Sequence, residues 1–192
     1  MTPRRFVLLT HRWIGLSTSV VLVIAGATGA VLALPGPDLL RRAASRLHET
    51  LALGSIGNLI VLTATGAAVV LQLGGVWLWW KRKSFAVRLS AGWRRMVIDL
   101  HHSAGALGLV LMLLVAVTGV GMTMFTPGPE RAMFVDLHTA RKYALPVKVV
   151  YALVSLGFLV QGVTGVLMWW RPRPGGQPVL QVQEAAFKER KT

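Results

Sequence analysis

Residues 75–82 read GVWLWWKR, and residues 165–172 read GVLMWWRP. The glycine, the valine and the paired tryptophans fall 90 positions apart. The same offset relates HRWIGL (11–16) to HHSAGA (101–106), at His11/His101 and Gly15/Gly105. It relates Thr28-Gly29 to Thr118-Gly119, and RLHET (46–50) to DLHTA (136–140), at His48/His138. Only a Pro-Gly-Pro turn slips, from 35–37 to 127–129. An offset held this long is an internal repeat, and it sets the organisation of the chain. We read one domain over 1–192, with a first repeat over about 4–82, a second over about 94–172, and a tail over 173–192.

Each repeat holds two long uncharged or nearly uncharged apolar runs. Ile14 to Leu34, Thr50 to Trp80, Ser103 to Pro129 and Val149 to Trp170 carry no Asp, Glu, Lys or Arg. About 20 such residues cross a bilayer as a helix, which satisfies its own backbone groups. The expected fold is an all-α integral membrane protein: a four-helix transmembrane bundle made of two parallel two-helix repeats. Two spans per repeat return the chain to the same side, so a pseudo-two-fold axis along the membrane normal relates the halves. The first run is too long for a signal peptide and lacks a small-x-small cleavage pattern, so it reads as a retained helix.

The formal net charge is +14 and the mean hydropathy +0.57. Fourteen of the 21 Lys and Arg lie at the N-terminus, in 81–95, or after Trp170. Positive charge stays inside, which places both termini and the middle loop in the cytoplasm and leaves no basic stripe for nucleic acid. Trp79, Trp80, Trp169 and Trp170 then mark the inner water–lipid boundary. The chain has no cysteine, which excludes disulfides, thiolate chemistry and cysteine-held clusters. No carboxylate falls at mid-membrane, where a proton or ion path would need one. No phosphate loop, dinucleotide fingerprint or nucleophile elbow is present.

Histidines remain. Histidine is costly in a membrane unless something uses it. Four of the five form two pairs under the repeat: His11 with His101 toward the cytoplasmic face, and His48 with His138 toward the outer face. Two imidazoles facing across a bundle supply the two axial ligands of one haem iron. Two such pairs predict two haems, one toward each membrane face. Gly15 and Gly105 follow the inner ligands by four, on the same helix face, where a missing side chain lets a flat macrocycle approach. His102 points about 100° away from His101 and is the competing inner ligand, or a contact to a lipid headgroup or haem propionate. Asp99 is a candidate acceptor for an imidazole N–H. Gln72 and Gln161 lie inside spans, where a helix–helix hydrogen bond is the ordinary role.

The stretches RRFVLLTHRWIGL, GATGAVLAL, RLHETLALG, GVWLWWKR, WRRMVIDLHHSAGALG and VTGVGM resemble the PepSY-associated transmembrane family over about residues 4 to 171. That family includes iron-regulated membrane proteins and ferric-siderophore reductases of bacterial inner membranes. The resemblance implies b-type haems held by His11, His48, His101 and His138, and electron transfer across the inner membrane to ferric iron or ferric-siderophore complexes on the periplasmic side. The implied partners are the lipid bilayer, a cytoplasmic quinol or flavoprotein donor, and a periplasmic ferric complex or acceptor protein. Larger members carry an added periplasmic domain. Here the outer connections, roughly 35–52 and 127–147, are short, which favours an electron conduit over a protein with its own substrate pocket. The alternatives are a haem-containing anchor handing quinol electrons to a partner protein, and a cofactor-free scaffold or transporter. One distance is awkward. His48 precedes Trp80 by 32 residues, roughly 48 Å if helical throughout. Either the outer site stands above the bilayer or this segment bends, at Gly54 and Gly57 in one repeat and at Pro146 in the other.

Overall fold

The chain starts its first helix where the sequence provides a cap. In the computed structural model, which describes residues 1–81 and 83–170, Thr2 accepts a hydrogen bond from the Arg5 amide at 3.4 Å, and Pro3 occupies the first turn. Helix α1 runs Pro3–Ala33 and stops before Pro35-Gly36-Pro37. Five more follow: α2 (Asp38–Thr50), α3 (Gly54–Trp79), α4 (Trp93–Met124), α5 (Pro129–Thr139) and α6 (Leu145–Trp170). Helices α1, α3, α4 and α6 are long and apolar enough to span a membrane, so the chain is a multi-pass membrane protein with a four-helix transmembrane bundle. The tail, and Arg171-Pro172 at the end of the second repeat, lie outside the described residues.

The spans form a ring in the order α1, α3, α4, α6, with α1 diagonal to α4. The repeat is therefore visible as packing: equivalent helices oppose each other across the axis. Lipid tails drive no hydrophobic collapse, so small residues and close backbone approach hold such helices together. The α1–α6 seam shows this. A Cβ at Gly26 would lie 2.6 Å from the Ser155 carbonyl oxygen, and one at Gly162 would lie 2.7 Å from Val23 Cγ2. Ninety positions away stand Ala116 and Gln72, so the α3–α4 seam lacks this pair of glycines.

The outer connections are where the structure adds to the sequence reading. Each contains a short helix, α2 or α5, folded back onto the bundle. The fold-back is built twice in the same way. Arg41 of α2 donates to the carbonyls of Leu32 (3.2 Å) and Leu34, and Arg131 of α5 donates to Met122 at 2.9 Å. Arg41/Arg131 and Leu32/Met122 are again 90 apart. Each guanidinium satisfies orphan carbonyls at the C-terminus of a span and meets the negative end of its dipole.

This removes the length problem. The segment from His48 to Trp80 is not one helix: it reverses at Leu51 and Ala52, both left-handed, with φ of 50° and 60°. Amides of these two residues bond back to the carbonyls of Leu47 and Arg46 and close the last turn of α2. Helix α3 then passes so close beneath that a Cβ at Gly57 would lie 1.6 Å from the Thr50 oxygen. In the second repeat the reversal is at Ala140 (φ 49°), and Pro146 stands in the first turn of α6 without bending it.

Candidate functional site: two histidine pairs

The diagonal placement of α1 and α4 brings His11 and His101 face to face. Each sits eight residues past the first residue of its helix, so the two share one depth. Their ring centroids lie 6.4 Å apart with the planes at 87°. The fold-back of α2 and α5 brings His48 and His138 together near the other end, at 6.1 Å and 51°. A metal–imidazole nitrogen bond is about 2 Å, and half a ring lies behind each nitrogen. Two imidazoles on opposite sides of one metal thus have centroids roughly 6.3 Å apart. Both pairs have that spacing.

The two pairs lie along one line of the bundle. His48 touches α1 at Ala25 and Thr28, 14 and 17 residues beyond His11, about 21–26 Å along the helix. That is within a single 30 Å hydrocarbon thickness.

What surrounds each ring decides what it can do. His48 Nδ1 meets the Ala25 carbonyl at 3.1 Å and Thr28 Oγ1 at 3.0 Å. His138 Nδ1 meets the Val115 carbonyl at 2.9 Å and Thr118 Oγ1 at 3.4 Å. Ala25/Val115 and Thr28/Thr118 are the same repeat positions. A carbonyl only accepts, so Nδ1 carries the proton and Nε2 carries the lone pair. His101 Nδ1 meets Thr164 Oγ1 at 2.9 Å. His11 differs: the Leu71 carbonyl acts on the ring, but its buried Nδ1 has no hydrogen-bond partner among the described residues. None of the hydrogen bonds among the described residues reaches Nε2 of any of the four.

Burial pushes the His138 imidazole down to about 4, reinforced by His48 opposite it. Burial also lowers His48, against smaller opposing effects from its bond to Ala25 and from Glu49. Both outer rings are neutral at ordinary pH, the form that ligates a metal.

Glycines seat the rings. Added Cβ atoms would lie 3.3 Å from His48 Cε1 at Gly29, 3.0 Å from His138 Cε1 at Gly119, 3.3 Å from His11 Cε1 at Gly75 and 3.7 Å from His101 Cε1 at Gly165. These are two repeat-related pairs, one pair for each pair of imidazoles. Polar side chains pin the short helices beside the outer rings: Tyr151 donates to the Leu137 carbonyl (2.5 Å), and Asn58 to that of Glu49 (3.3 Å).

Other residues singled out from the sequence fall differently. His102 lines a pocket of about 340 Å³ with Trp79, Arg88, Arg95 and Asp99, and its ring centroid is 6.2 Å from that of His101. Asp99 is engaged by two arginines. It is 4% exposed and takes Arg88 through both oxygens (3.0 and 3.2 Å) and Arg95 at 2.9 Å, which ties the α3–α4 loop to α4. Gly15 faces Leu71 at an ordinary 3.8 Å. Gly105 faces the Gln161 amide at 3.3 Å, and that amide donates to the His101 carbonyl at 2.8 Å. Gly105 therefore makes room for a hydrogen bond at the inner pair. Thr28, Thr118 and Thr164 as imidazole partners went unread, although Thr28-Gly29 and Thr118-Gly119 repeat at the same 90-residue offset.

No curated protein and no solved structure matches the chain. The family model described as the PepSY-associated TM region matches residues 33–132, from the end of α1 through α2, α3 and α4 into α5, with His48 and His101 inside the match. That is more than half of the chain, and the chain belongs to the PepSY-associated transmembrane family.

Proposed function

We propose that the chain is a two-haem, b-type membrane cytochrome. The observation that carries this reading is the doubled geometry: two histidine pairs, at 6.4 and 6.1 Å, each with the spacing of opposite ligands on one metal. The donor set supports porphyrin iron over a bare ion. Among the described residues no three His, Cys, Asp or Glu gather closely enough to hold a metal ion. A pair of imidazoles suffices only where the metal brings its other ligands with it. His11 and His101 would hold the inner haem, and His48 and His138 the outer one. Each haem supplies a one-electron carrier when bound.

The chain's own residues do the rest. Thr28, Thr118, Thr164 and the carbonyls of Ala25 and Val115 orient the rings and keep Nε2 free. The inner pair lies at the end that carries Arg4, Arg5, Lys81, Arg94 and Arg95, the cytoplasmic end by the positive-inside rule. Electrons would pass outward across a bacterial inner membrane, from a quinol or flavoprotein donor to a ferric complex or a periplasmic acceptor. The test is the optical spectrum and haem content of the detergent-purified chain. A reducible Soret band with sharp α and β bands, and near two haems per chain, is expected. A colourless protein after reconstitution with haemin refutes the reading.

A further inference from the structure

The four imidazoles are not held alike. Thr164 Oγ1 donates its own proton to the Val160 carbonyl at 2.5 Å, so toward His101 it presents a lone pair. His101 Nδ1 must therefore donate, which fixes its tautomer and leaves Nε2 free. Carbonyl oxygens impose the same tautomer on His48 and His138. Among the described residues His11 Nδ1 makes no such hydrogen bond, although the Leu71 carbonyl acts on the ring. The cause is one difference between the repeats. Ninety positions before Thr164 stands Gly74, which has no hydroxyl. The space for one exists: a Cβ at Gly74 would lie 3.7 Å from His11 Nδ1 and 3.7 Å from Val7 Cγ1, both ordinary contacts. Gly75 follows, so α3 offers this ring two successive residues without side chains. The ring on α4 meets Thr164-Gly165.

We propose that position 74/164 grades the two inner ligands. Thr164 is the positioning residue that makes His101 a fixed ligand. Gly74 leaves His11 exchangeable, so the inner site takes a small external iron ligand in place of His11. The inference deepens the cytochrome reading and rests on it. Loss of the second hydrogen bond of a ligating imidazole typically costs about 10–100-fold in metal affinity, and His11 is the ring that lacks it. The exchange is balanced: the Nε2 bond of His11 to iron breaks, the ligand's dative bond forms, and no electron or proton leaves.

Two measurements on the full purified chain decide it. The first needs no haem. With ¹⁵N-labelled histidine, His101 is expected in a single Nδ1–H tautomer and His11 in a mixture, and Gly74→Thr or Gly74→Ser should convert His11 to Nδ1–H. A wild-type His11 already held as Nδ1–H overturns the proposal and leaves the cytochrome reading intact. The second uses carbon monoxide as the probe on the dithionite-reduced, haem-loaded chain. One haem of the two is expected to bind it. Gly74→Thr should weaken that binding about 10-fold or more, Thr164→Val should strengthen it, and Thr164→Ser should restore wild-type behaviour. Carbon monoxide binding that is absent in both the wild type and Thr164→Val, or unchanged by both substitutions at position 74, overturns it. A chain that takes up no haem overturns the cytochrome reading and this proposal together.

Discussion

Gly119→Ala tests whether the glycines seat the imidazoles. The added methyl would lie 3.0 Å from His138 Cε1 and 3.3 Å from Nδ1, closer than carbon–carbon contacts tolerate. The ring must move by roughly half an ångström, or α5 must lift with it. Either motion stretches the 2.9 Å bond from His138 to the Val115 carbonyl. Overpacking of this kind costs about 1–3 kcal/mol, and 1.4 kcal/mol is tenfold in affinity, so the outer site should bind haem about tenfold more weakly or worse. Helix propensity acts in the other direction, by up to about 1 kcal/mol for Gly to Ala, and must be controlled for. Gly66→Ala is that control, because nothing lies within 4 Å of its added Cβ. A graded series sharpens the test: Gly75→Ala meets His11 at 3.3 Å and Gly165→Ala meets His101 at 3.7 Å. Haem titration with thermal unfolding of each variant should rank the damage as 119, then 75, then 165, with position 66 neutral or stabilised. Equal behaviour of Gly119→Ala and Gly66→Ala, or a Gly165→Ala variant as damaged as Gly119→Ala, would refute the seating argument.

Other expectations follow from the same contacts. His101→Ala should abolish the haem that His11→Ala abolishes, whereas His102→Ala should retain it; spectra of the three variants decide, and loss in His102→Ala alone would reassign the inner ligand. At the α1–α6 seam, Gly162→Leu should prevent close packing and lower the thermal midpoint sharply, since even a Cβ there meets Val23 at 2.7 Å. Gln72→Leu at the equivalent α3–α4 position should stabilise by about 1–3 kcal/mol, because both amide atoms of Gln72 are buried without partners among the described residues; a lower midpoint contradicts it. The haem-free chain should lose stability as pH falls from 6.5 toward 4. The unfolded state binds a proton at His138 before the folded state does, since burial holds that ring near 4. His138→Ala should flatten that part of a melting-temperature profile, and an unchanged slope would show that His138 is not held neutral.

The spans, their number and the pairing of the four histidines were legible because each rests on a signal that survives in one dimension. Apolar runs report crossing helices, and an offset of 90 reports symmetry, which alone places His11 opposite His101. The short helices were not legible. Asp38–Thr50 is polar enough to pass for a loop, and its helix exists because it caps α1 through Arg41 and packs against α1 and α3. The reversal at Leu51 and Ala52 was hidden because neither residue advertises a left-handed turn. The HxxxG pattern named Gly15 and Gly105 as room for a macrocycle, and for a related reason it could not name the glycines that seat the rings. A residue four positions along the same helix shares the ligand's face, but a ring is seated by whatever crosses in front of it. At His11 that is Gly75 of α3, and at His101 it is Gly165 of α6. Spacing within one helix carries no information about the partner helix; the repeat carried some, since Gly75 and Gly165 were already a matched pair.

Comparing the two halves of one chain separates what the pairs require from what the bundle requires. Positions identical in both halves converge on the rings and on the helix ends: the four histidines, the seats Gly29/Gly119 and Gly75/Gly165, the hydroxyls Thr28/Thr118, and the caps Arg41/Arg131. Among the many positions that differ, three pairs stand at the seams or beside one ligand: Gly26 against Ala116, Gly162 against Gln72, Thr164 against Gly74. A symmetric outer pair with matched partners beside an inner pair with unmatched ones is not what packing alone would produce. Helix association does not forbid a side chain at 74, since a Cβ there meets only ordinary contacts on α1. A pair of imidazoles competing for one site is not indifferent to a hydroxyl there, because the hydrogen bond behind a ligand sets how tightly it holds. The asymmetry thus falls where the chemistry would register it, at the end of the bundle nearer the basic loops.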